Sequence, residues 1–426
     1  MEKKKKSYAG LTPFESVKKY LDENHEIRHN LITNRLESRP KGENAPWMDN
    51  DKLENDLLVE LLEHNLKQAK SSLAALLGSN YIKPYHPVKE YFDNLEPWDG
   101  FDHFSELCAK IHTNAPEEFR HHLKKHLMRC VASVLVKGYF NKQCFVFHSE
   151  RQSLGKSSLI RWLVPEKLKK YISDAVLQWQ DKDANIALGE NWFINMDELA
   201  ELDRSELNSL KATLSRDMVK VRRPYGKTSV EIPRLANFWG STNDLQFLTD
   251  LTGNVRWLVF EVIYIDFKYT KIDKDQLWAQ IYNEFRNLAP RKPGEVAWYE
   301  LSQEEQKQND LRNQKYMLSS PELEAINRYL LPGDPKVSSL GYGTLYFGQA
   351  FEIMKRLNEM AGTSFRNVRS FGRALNAANF KRISRYVADR QMSLNGYFYY
   401  EHQINYDVDL RDEGQVLDNS ITRNPF

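Results

Sequence analysis

Four consecutive residues, Gly155-Lys156-Ser157-Ser158, are of the types that bind phosphate. They follow the apolar stretch CFVFH (144–148), a predicted strand, and precede a predicted helix. A glycine here lets backbone N–H groups approach phosphate oxygens, the lysine reaches the β- and γ-phosphates, and the serine hydroxyl binds Mg²⁺. The complete motif is G-x-x-x-x-G-K-[ST], and Glu150 stands in place of its first glycine. The motif predicts an ATP-binding loop, although alone it is also compatible with a surface turn.

Two acidic residues end another apolar run. WFINM (192–196) is followed by Asp197 and Glu198. A carboxylate pair at the end of a strand suits Mg²⁺ support by the first residue and activation of water by the second. The same pair could instead begin a helix, where acidic side chains are favoured.

Two further polar residues flank the last predicted strands of this region. Asn243 follows LANFWGS (235–241) and could orient the attacking water or contact the γ-phosphate. Arg256 precedes WLVFEVIYI (257–265) and could reach a neighbouring subunit to neutralise charge in the transition state. The alternatives are a turn asparagine and a surface arginine with local partners.

A cationic hairpin is predicted between the acidic pair and Asn243. VKV and TSVEI flank the turn sequence RRPYGK. Its candidate DNA-binding residues are Lys220, Arg222, Arg223, Tyr225 and Lys227. Cations around an aromatic ring suit backbone contacts and base stacking on single-stranded DNA. Charges that protect an exposed hairpin edge are the alternative.

Short, nearly unbroken apolar runs position these residues. Between 143 and 290 they alternate with segments that can form helices, which predicts an α/β fold with a parallel sheet buried on both faces. KYIS (170–173) is a further predicted strand of this sheet. Upstream, residues 13–80 are predicted to be mostly helical, with one strand in IRHNLITNRLES and one long helix over 53–77.

Basic side chains also concentrate outside the hairpin. The predicted helix 116–138 carries a basic stripe, which indicates a solvated face or a contact with nucleic acid or another subunit. Near the C terminus, a helix followed by two strands with a turn at Asn395-Gly396 has the pattern of a winged helix. Seven cations against one acid in 366–390 favour nucleic acid as its partner, with a protein partner as the alternative.

Composition excludes several classes of protein. With 41% hydrophobic residues the chain is globular, and no apolar run is long enough to cross a membrane. Neither a secretory signal nor a cysteine framework is visible, so we expect a cytoplasmic protein. A net charge of +2 says nothing about nucleic acid, because any basic surface must be local.

The ordered set of motifs resembles the virulence-associated E (VapE-like) family, whose ATPase core is close to superfamily 3 helicases. The resemblance covers residues 85–290 and depends on segments that the family shares: YHPVKEYFDNLEPWDG, GKSS, NWFINMDELAELDRSELNSLKATLSR, VRRPYGK, STND and LTGNVRWLVFEV. The chain departs from the family pattern at Glu150 and at Val255, where many relatives have a second arginine.

The resemblance implies a P-loop AAA+/ASCE-type parallel sheet core in a ring, often hexameric, that acts with ATP and Mg²⁺ in replicating the DNA of a phage or other mobile element. An N-terminal helical region and a C-terminal winged-helix-like domain would flank this core. The predicted boundaries are a mostly helical region (1–83), a helical connector (84–142), the ATPase core (143–290), a linker (291–319), the winged-helix-like domain (320–405) and a flexible tail (406–426).

Three functions remain open at this point. The leading hypothesis is an ATP-dependent DNA motor or replication initiator that binds single-stranded or forked DNA as a homo-oligomeric ring. The second is a DNA-binding platform that binds nucleotide without hydrolysing it, a possibility that Glu150 raises. The third is a P-loop kinase for a small molecule, which would need an acceptor site and no RRPYGK hairpin.

Overall fold

The chain forms two units, Met1–Met317 and Leu318–Phe426. They are seen in a computed structural model. The residues it describes are 8, 10–42, 45–49, 52–66, 69–174, 182–199, 204–221, 230–248, 254–288, 296–317, 320–335, 344–387 and 391–401.

The first unit begins with helices packed on a small sheet. A capping box between Thr12 and Glu15 starts the first helix. The strands of this region have the order β3-β2-β1-β4. Its elements are α1 (Pro13–Asn24), β1 (His25–Asn30), β2 (Arg35–Pro40), β3 (Met48–Asp49), α2 (Leu53–Glu63), α3 (Ala69–Leu77) and β4 (Lys83–Tyr85).

Two expectations for this region are wrong. IRHNLITNRLES is not one strand, because the chain reverses through Asn34, whose φ of 54° is left-handed, and pairs β1 with β2. The predicted helix 53–77 is two helices, and Asn65, with a φ of 61°, follows the end of the first. A mostly helical N-terminal region is therefore only half correct, since it also contains a four-stranded sheet.

A six-stranded sheet is the centre of the first unit. Its order is β5-β12-β6-β11-β8-β7, with only β5 antiparallel to its neighbour. The elements are α4 (Pro87–Asp93), α5 (His103–Ala109), β5 (Ile111–Thr113), α6 (Pro116–Leu135), β6 (Cys144–His148), α7 (Lys156–Leu163), β7 (Ile172–Ser173), α8 (Lys182–Glu190), β8 (Phe193–Met196), α9 (Arg204–Leu214), β9 (Met218–Val221), β10 (Val230–Pro233), β11 (Asn237–Thr242), β12 (Trp257–Ile265), α10 (Lys274–Leu288) and α11 (Gln303–Asn313).

The central strands are apolar because both faces of the sheet are covered. Every residue of β6, β8 and β11 is buried. The rings of Phe145, Trp239 and Phe260 pack against each other on one face, with centroids 5.2–5.6 Å apart for the pairs that include Phe145. The predicted α/β fold with a parallel sheet is confirmed, although the first half of KYIS lies in a 3-10 helix, Glu166–Tyr171, and only its second half forms β7.

Part of the basic stripe on α6 is buried, and for its buried cations neither interpretation is correct. Lys125 and Arg129 are 4% and 0% exposed. The Lys125 amine donates to both carboxylate oxygens of Glu305, at 2.6 and 2.8 Å, and the Arg129 guanidinium donates to the Tyr299 carbonyl at 2.7 Å. These two cations therefore bind residues 299–305 to α6, which packs on the six-stranded sheet. Within the described residues, no helix is both long and apolar enough to cross a membrane.

The second unit packs three helices on a sheet centred on its last strand. Ile326, Ile353 and Phe371 come from different helices and are fully buried in one core. The last strand pairs with the other three, all antiparallel. The elements are α12 (Pro321–Tyr329), β13 (Leu330–Pro332), β14 (Tyr346–Gly348), α13 (Ala350–Ala361), α14 (Val368–Ala377), β15 (Arg382–Val387) and β16 (Met392–Glu401).

The predicted turn at Asn395-Gly396 is wrong. Both residues lie inside β16, where Asn395 pairs with Ser384 and Gly396 with Ile383. A Cβ atom on Gly396 would lie 2.5 Å from the carbonyl oxygen of Gly348 in β14. The glycine is needed for close approach of two strands, and the chain reverses between Val387 and Met392 instead.

This packing predicts effects of different size on stability for the two adjacent residues. Gly396→Ala should lower the free energy of unfolding by about 1–3 kcal/mol, because β14 must move away. Asn395→Ala is the control, and since Asn395 is exposed its effect should stay within about 0.5 kcal/mol. Urea unfolding and hydrogen exchange of residues 392–401 measure both. A larger loss of stability in Asn395→Ala than in Gly396→Ala would instead favour the predicted turn.

The ion pair on α6 predicts a pH dependence of stability. Burial alone raises the pKa of Glu305, but hydrogen bonds from Lys125, the Ser302 N–H and His121 lower it to about 2, against 4.5 ordinarily. The stabilisation is therefore complete above about pH 4.5 and is lost as the pH falls towards 2. Its size is on the order of 1–2 kcal/mol after allowance for solvent screening.

Glu305→Gln tests this dependence. Between pH 4.5 and 2 the unfolding free energy of the variant should fall less steeply than that of the wild type. Glu304→Gln, at the exposed neighbouring position, should follow the wild-type curve. Parallel curves for the wild type and Glu305→Gln would show that the pair does not stabilise the fold.

Candidate functional site

The carboxyl ends of three parallel strands bring the residues predicted to bind ATP and Mg²⁺, together with Glu198 and Asn243, to one edge of the sheet. The loop 149–155 follows β6, Asp197 and Glu198 follow β8, and Asn243 follows β11. The register aligns these ends, since Thr242 pairs with His148 and Gly240 with Met196. Open α/β sheets bind ligands at this edge.

Gly155 connects the loop to α7. Its φ of +80° is left-handed, and a Cβ atom there would lie 2.7 Å from Cε1 of Phe267. Only glycine meets both requirements without strain. The N terminus of α7, which includes Lys156, Ser157 and Ser158, follows directly, with its free N–H groups at the strand edge. Glu150 is exposed on the loop.

The amine of Lys156 is buried at this edge of the sheet. The residue is 7% exposed, and Nζ donates to the Thr242 carbonyl at 3.1 Å and to Oδ1 of Asn243 at 2.5 Å. Burial lowers the pKa of Lys156, and the nearby carboxylate of Asp197 opposes that shift. The amine therefore links the end of β11 to the start of α7 through neutral acceptors.

Asp197 accepts hydrogen bonds from two hydroxyl groups. The Ser157 hydroxyl donates to Oδ1 at 2.7 Å, and the Ser241 hydroxyl donates to the same oxygen. Burial raises the pKa of Asp197, but the bonds from Ser241 and Ser157 outweigh it, so the pKa lies below its ordinary value. The carboxylate is therefore ionised at neutral pH.

These oxygens fit the requirements of Mg²⁺. The ion prefers oxygen ligands in an octahedron at 2.0–2.1 Å, which places adjacent ligands about 3 Å apart. Ser157 Oγ and Asp197 Oδ1 are 2.7 Å apart, close to that spacing. Throughout the described ranges, no group of three or more His, Cys, Asp or Glu side chains could hold a metal ion. The pair therefore suits an ion whose other ligands come from a nucleotide and water.

Glu198 adopts an uncommon backbone conformation. Its φ is 56°, and the residue is exposed directly after Asp197. Non-glycine residues in this region of φ cost free energy and cluster at functional sites. Its position two residues after β8 puts Glu198 at the same strand edge as the loop.

Arg256 lies at the other end of the sheet from the loop. It ends the 3-10 helix Asn254–Arg256, directly before β12, and its Nε donates to the Ser215 hydroxyl at 3.0 Å. Trp257, the next residue, pairs with Cys144 at the start of β6. Five residues of strand, roughly 16 Å, therefore separate Arg256 from the loop of its own chain.

The predicted hairpin is present at its base. β9 and β10 pair antiparallel from Val221 with Val230 to Met218 with Pro233, and Lys220 is exposed on β9. Four of its predicted DNA-binding residues lie outside the described part of the chain: Arg222, Arg223, Tyr225 and Lys227.

Sequence reasoning missed two residues that the fold adds to this edge. Ser241, the partner of Asp197, was visible only as a polar residue near the end of an apolar strand. Phe267, whose ring contacts Gly155, lies 112 positions further along the chain. No local pattern could have paired a loop glycine with so distant a ring.

Comparisons with known proteins identify one family. The sequence profile of the virulence-associated protein E-like domain matches residues 92–318, which is more than half of the chain. No curated protein matches the sequence significantly.

Solved structures show a weak similarity of fold. The A form apo structure of the NrS-1 C-terminal region has a TM-score of 0.49 and 12% identity, and the match covers 91% of this chain and 99% of that one. A structure described as "SCCmec type IV Cch - active helicase" has a TM-score of 0.39 and 12% identity, with 89% and 93% covered.

Proposed function

The chain belongs to the virulence-associated protein E-like family, and we propose that it is an ATP-dependent, helicase-like DNA motor with a P-loop core. The observation that carries the proposal is the meeting of Lys156, Asn243 and the Ser157–Asp197 pair at one strand edge. A buried cation, a helix N terminus and an oxygen pair suited to Mg²⁺ are together the components of a triphosphate site.

In this proposal the phosphates of ATP bind between the loop and α7. Gly155 keeps the backbone open for them, and the N–H groups of Ser157 and Ser158 point towards them. The amine of Lys156 then exchanges neutral acceptors for phosphate oxygens. That exchange is favourable because a buried cation gains an ionic partner. Exposed Glu150 leaves the loop free of a buried negative charge.

Hydrolysis requires a metal ion, a positioned water and charge neutralisation. Ser157 and Asp197 would hold or support Mg²⁺, which neutralises charge on the phosphates. Glu198 would accept the proton of the attacking water, and Asn243 would orient that water or the γ-phosphate. Since Asn243 also binds Lys156, cleavage of the phosphate would change the hydrogen bonds at the end of β11.

Arg256 would act on the nucleotide of a neighbouring subunit. Its distance from the loop of its own chain, roughly one strand length, supports action in trans. A homo-oligomeric ring, hexameric as the family resemblance implies, would bring each Arg256 to the next site. Its contact with Ser215 would hold the side chain until then.

DNA would contact both units. In the first, the cations and Tyr225 of the hairpin would follow one strand through the ring. In the second, α13, α14 and the β15–β16 hairpin support a winged-helix assignment. Its exposed basic residues on or beside α14 and β15 are Arg366, Arg369, Arg373, Lys381, Arg382 and Arg385. We propose a role in replicating the DNA of a phage or other mobile element.

Nucleotide binding and turnover should separate in two variants. Lys156→Ala should abolish ATP binding, because the cation for the phosphates is lost. Glu198→Gln should bind ATP but lose turnover by roughly two orders of magnitude or more, the scale of general-base catalysis. Equilibrium binding and steady-state hydrolysis with Mg²⁺ measure these effects.

Matched controls lie on the surface. Lys142→Ala and Glu166→Gln remove the same charges at exposed positions and should leave binding and turnover unchanged. Turnover at the wild-type rate in Glu198→Gln would refute its assignment. A wild type that binds ATP without hydrolysing it would instead be the non-hydrolysing DNA platform.

The two basic regions should have different roles in DNA binding. Arg222→Ala with Arg223→Ala should flatten the salt dependence of single-strand affinity by about 1.4 log units per log unit of salt, since each contact contributes about 0.7. This pair should also abolish stimulation of hydrolysis by DNA. Arg369→Ala with Arg373→Ala should weaken DNA binding but leave stimulation at saturating DNA intact.

Both pairs are measured by DNA titration at several salt concentrations. If the C-terminal pair alone abolishes stimulation while the hairpin pair has no effect, DNA is sensed by the second unit. The hairpin would then be a charged surface loop.

A further inference from the structure

Phe267 places a large apolar ring beside the loop. The residue comes two positions after β12, and 54% of it is exposed. Its Cε1 and Cζ atoms lie 2.7 and 2.8 Å from where a Cβ atom on Gly155 would be. The ring edge therefore lies against the glycine that begins α7, while much of the ring remains in solvent.

Hydrogen bonds fix the backbone around Phe267, and its ring lies beside that of Tyr269, with centroids 6.2 Å apart. The Asp266 carboxylate accepts from the Lys268 N–H at 3.0 Å, and the Thr270 hydroxyl donates to the Phe267 carbonyl at 2.9 Å. Tyr269, 2% exposed, anchors the same turn in the core against Trp162. An aromatic side chain positioned before a ligand arrives binds it with little further loss of entropy.

The sheet order fixes the direction in which a nucleotide would lie. β6 carries the loop, with β11 on one side and β12 on the other. The groups proposed for the γ-phosphate, Asn243 and Glu198, follow β11 and β8, on the first side. The nucleoside end must then extend towards β12. Phe267 follows the carboxyl end of β12, which lies at the same edge of the sheet as the loop.

We propose that Phe267 is a stacking platform for the base of the bound nucleotide, an inference that rests on the proposed nucleotide site. The ligand class is a nucleoside triphosphate. The flat face of the ring supplies affinity for the base, because every base has a π-face. The same ring leaves no room for a Cβ atom at position 155. The contact between Phe267 and Gly155 therefore places the proposed base subsite directly beside the proposed phosphate subsite.

Direct binding to the full-length protein tests the inference with two probes, ATP and inorganic tripolyphosphate, each with Mg²⁺. Phe267→Ala should weaken ATP binding between about fivefold and 150-fold, the range for base–aromatic stacking. Tripolyphosphate binding should not change, because that probe has no base. Phe267→Trp should keep ATP affinity near the wild-type value, and Phe267→Leu should behave like Phe267→Ala.

Tyr264→Ala is the matched control. Tyr264 is 51% exposed on β12, but its ring lies against His112, so ATP affinity should be unchanged. Equal losses for ATP and tripolyphosphate in Phe267→Ala would overturn the platform and leave the nucleotide site intact, since Phe267 would only shape the loop. A wild type that binds neither probe would overturn the proposed function and the platform with it.

Discussion

The buried amine of Lys156 is the constraint on which the arrangement of the site depends. A cation that is 7% exposed destabilises the fold unless acceptors surround it. Besides the Ser149 carbonyl directly after β6, its acceptors come from the end of β11, a different strand from the one that precedes it. They are within reach only because β6 and β11 are parallel, adjacent and in register at His148 and Thr242. The parallel register of the sheet is therefore a requirement of the site as well as of the core.

The core and the site edge could be predicted from the sequence because their signals are local. A strand buried on both faces must be apolar, and a parallel strand that ends at a ligand edge must end in polar residues. CFVFH before the loop and WFINM before Asp197 meet both conditions. Position in the sheet, in contrast, is not a local property. For that reason the contacts of Asp197 with Ser241, and of Gly155 with Phe267, could not be predicted.

Two of the wrong predictions share one physical cause, which is that tertiary contacts override a local preference. Asn395-Gly396 has the composition of a turn, yet the close approach of Gly348 makes the same glycine necessary within a strand. The basic face of α6 has the composition of a solvated surface, yet Glu305 and the carbonyl of Tyr299 bind its cations Lys125 and Arg129 in the interior. In both cases the deciding partner is distant in sequence, and no window of neighbouring residues contains it.

A buried arginine connects the base of the hairpin to the strand that ends at the site. Arg234, 1% exposed, lies between β10 and β11, and its guanidinium donates to the Thr213 carbonyl at the end of α9. The backbone N–H of Arg234 donates to the Asp217 carbonyl just before β9. Both strands of the hairpin are thus bound to one buried residue, which lies three positions before β11. Lys156 binds the other end of β11. If the Lys156 amine binds phosphate instead, β11 loses its hydrogen bond at the Thr242 carbonyl. The start of β11 is joined along the chain to β10, which forms one strand of the hairpin base. Coupling between two sites requires an element that both ligands bias, and in the proposed motor β11 is the candidate for that element.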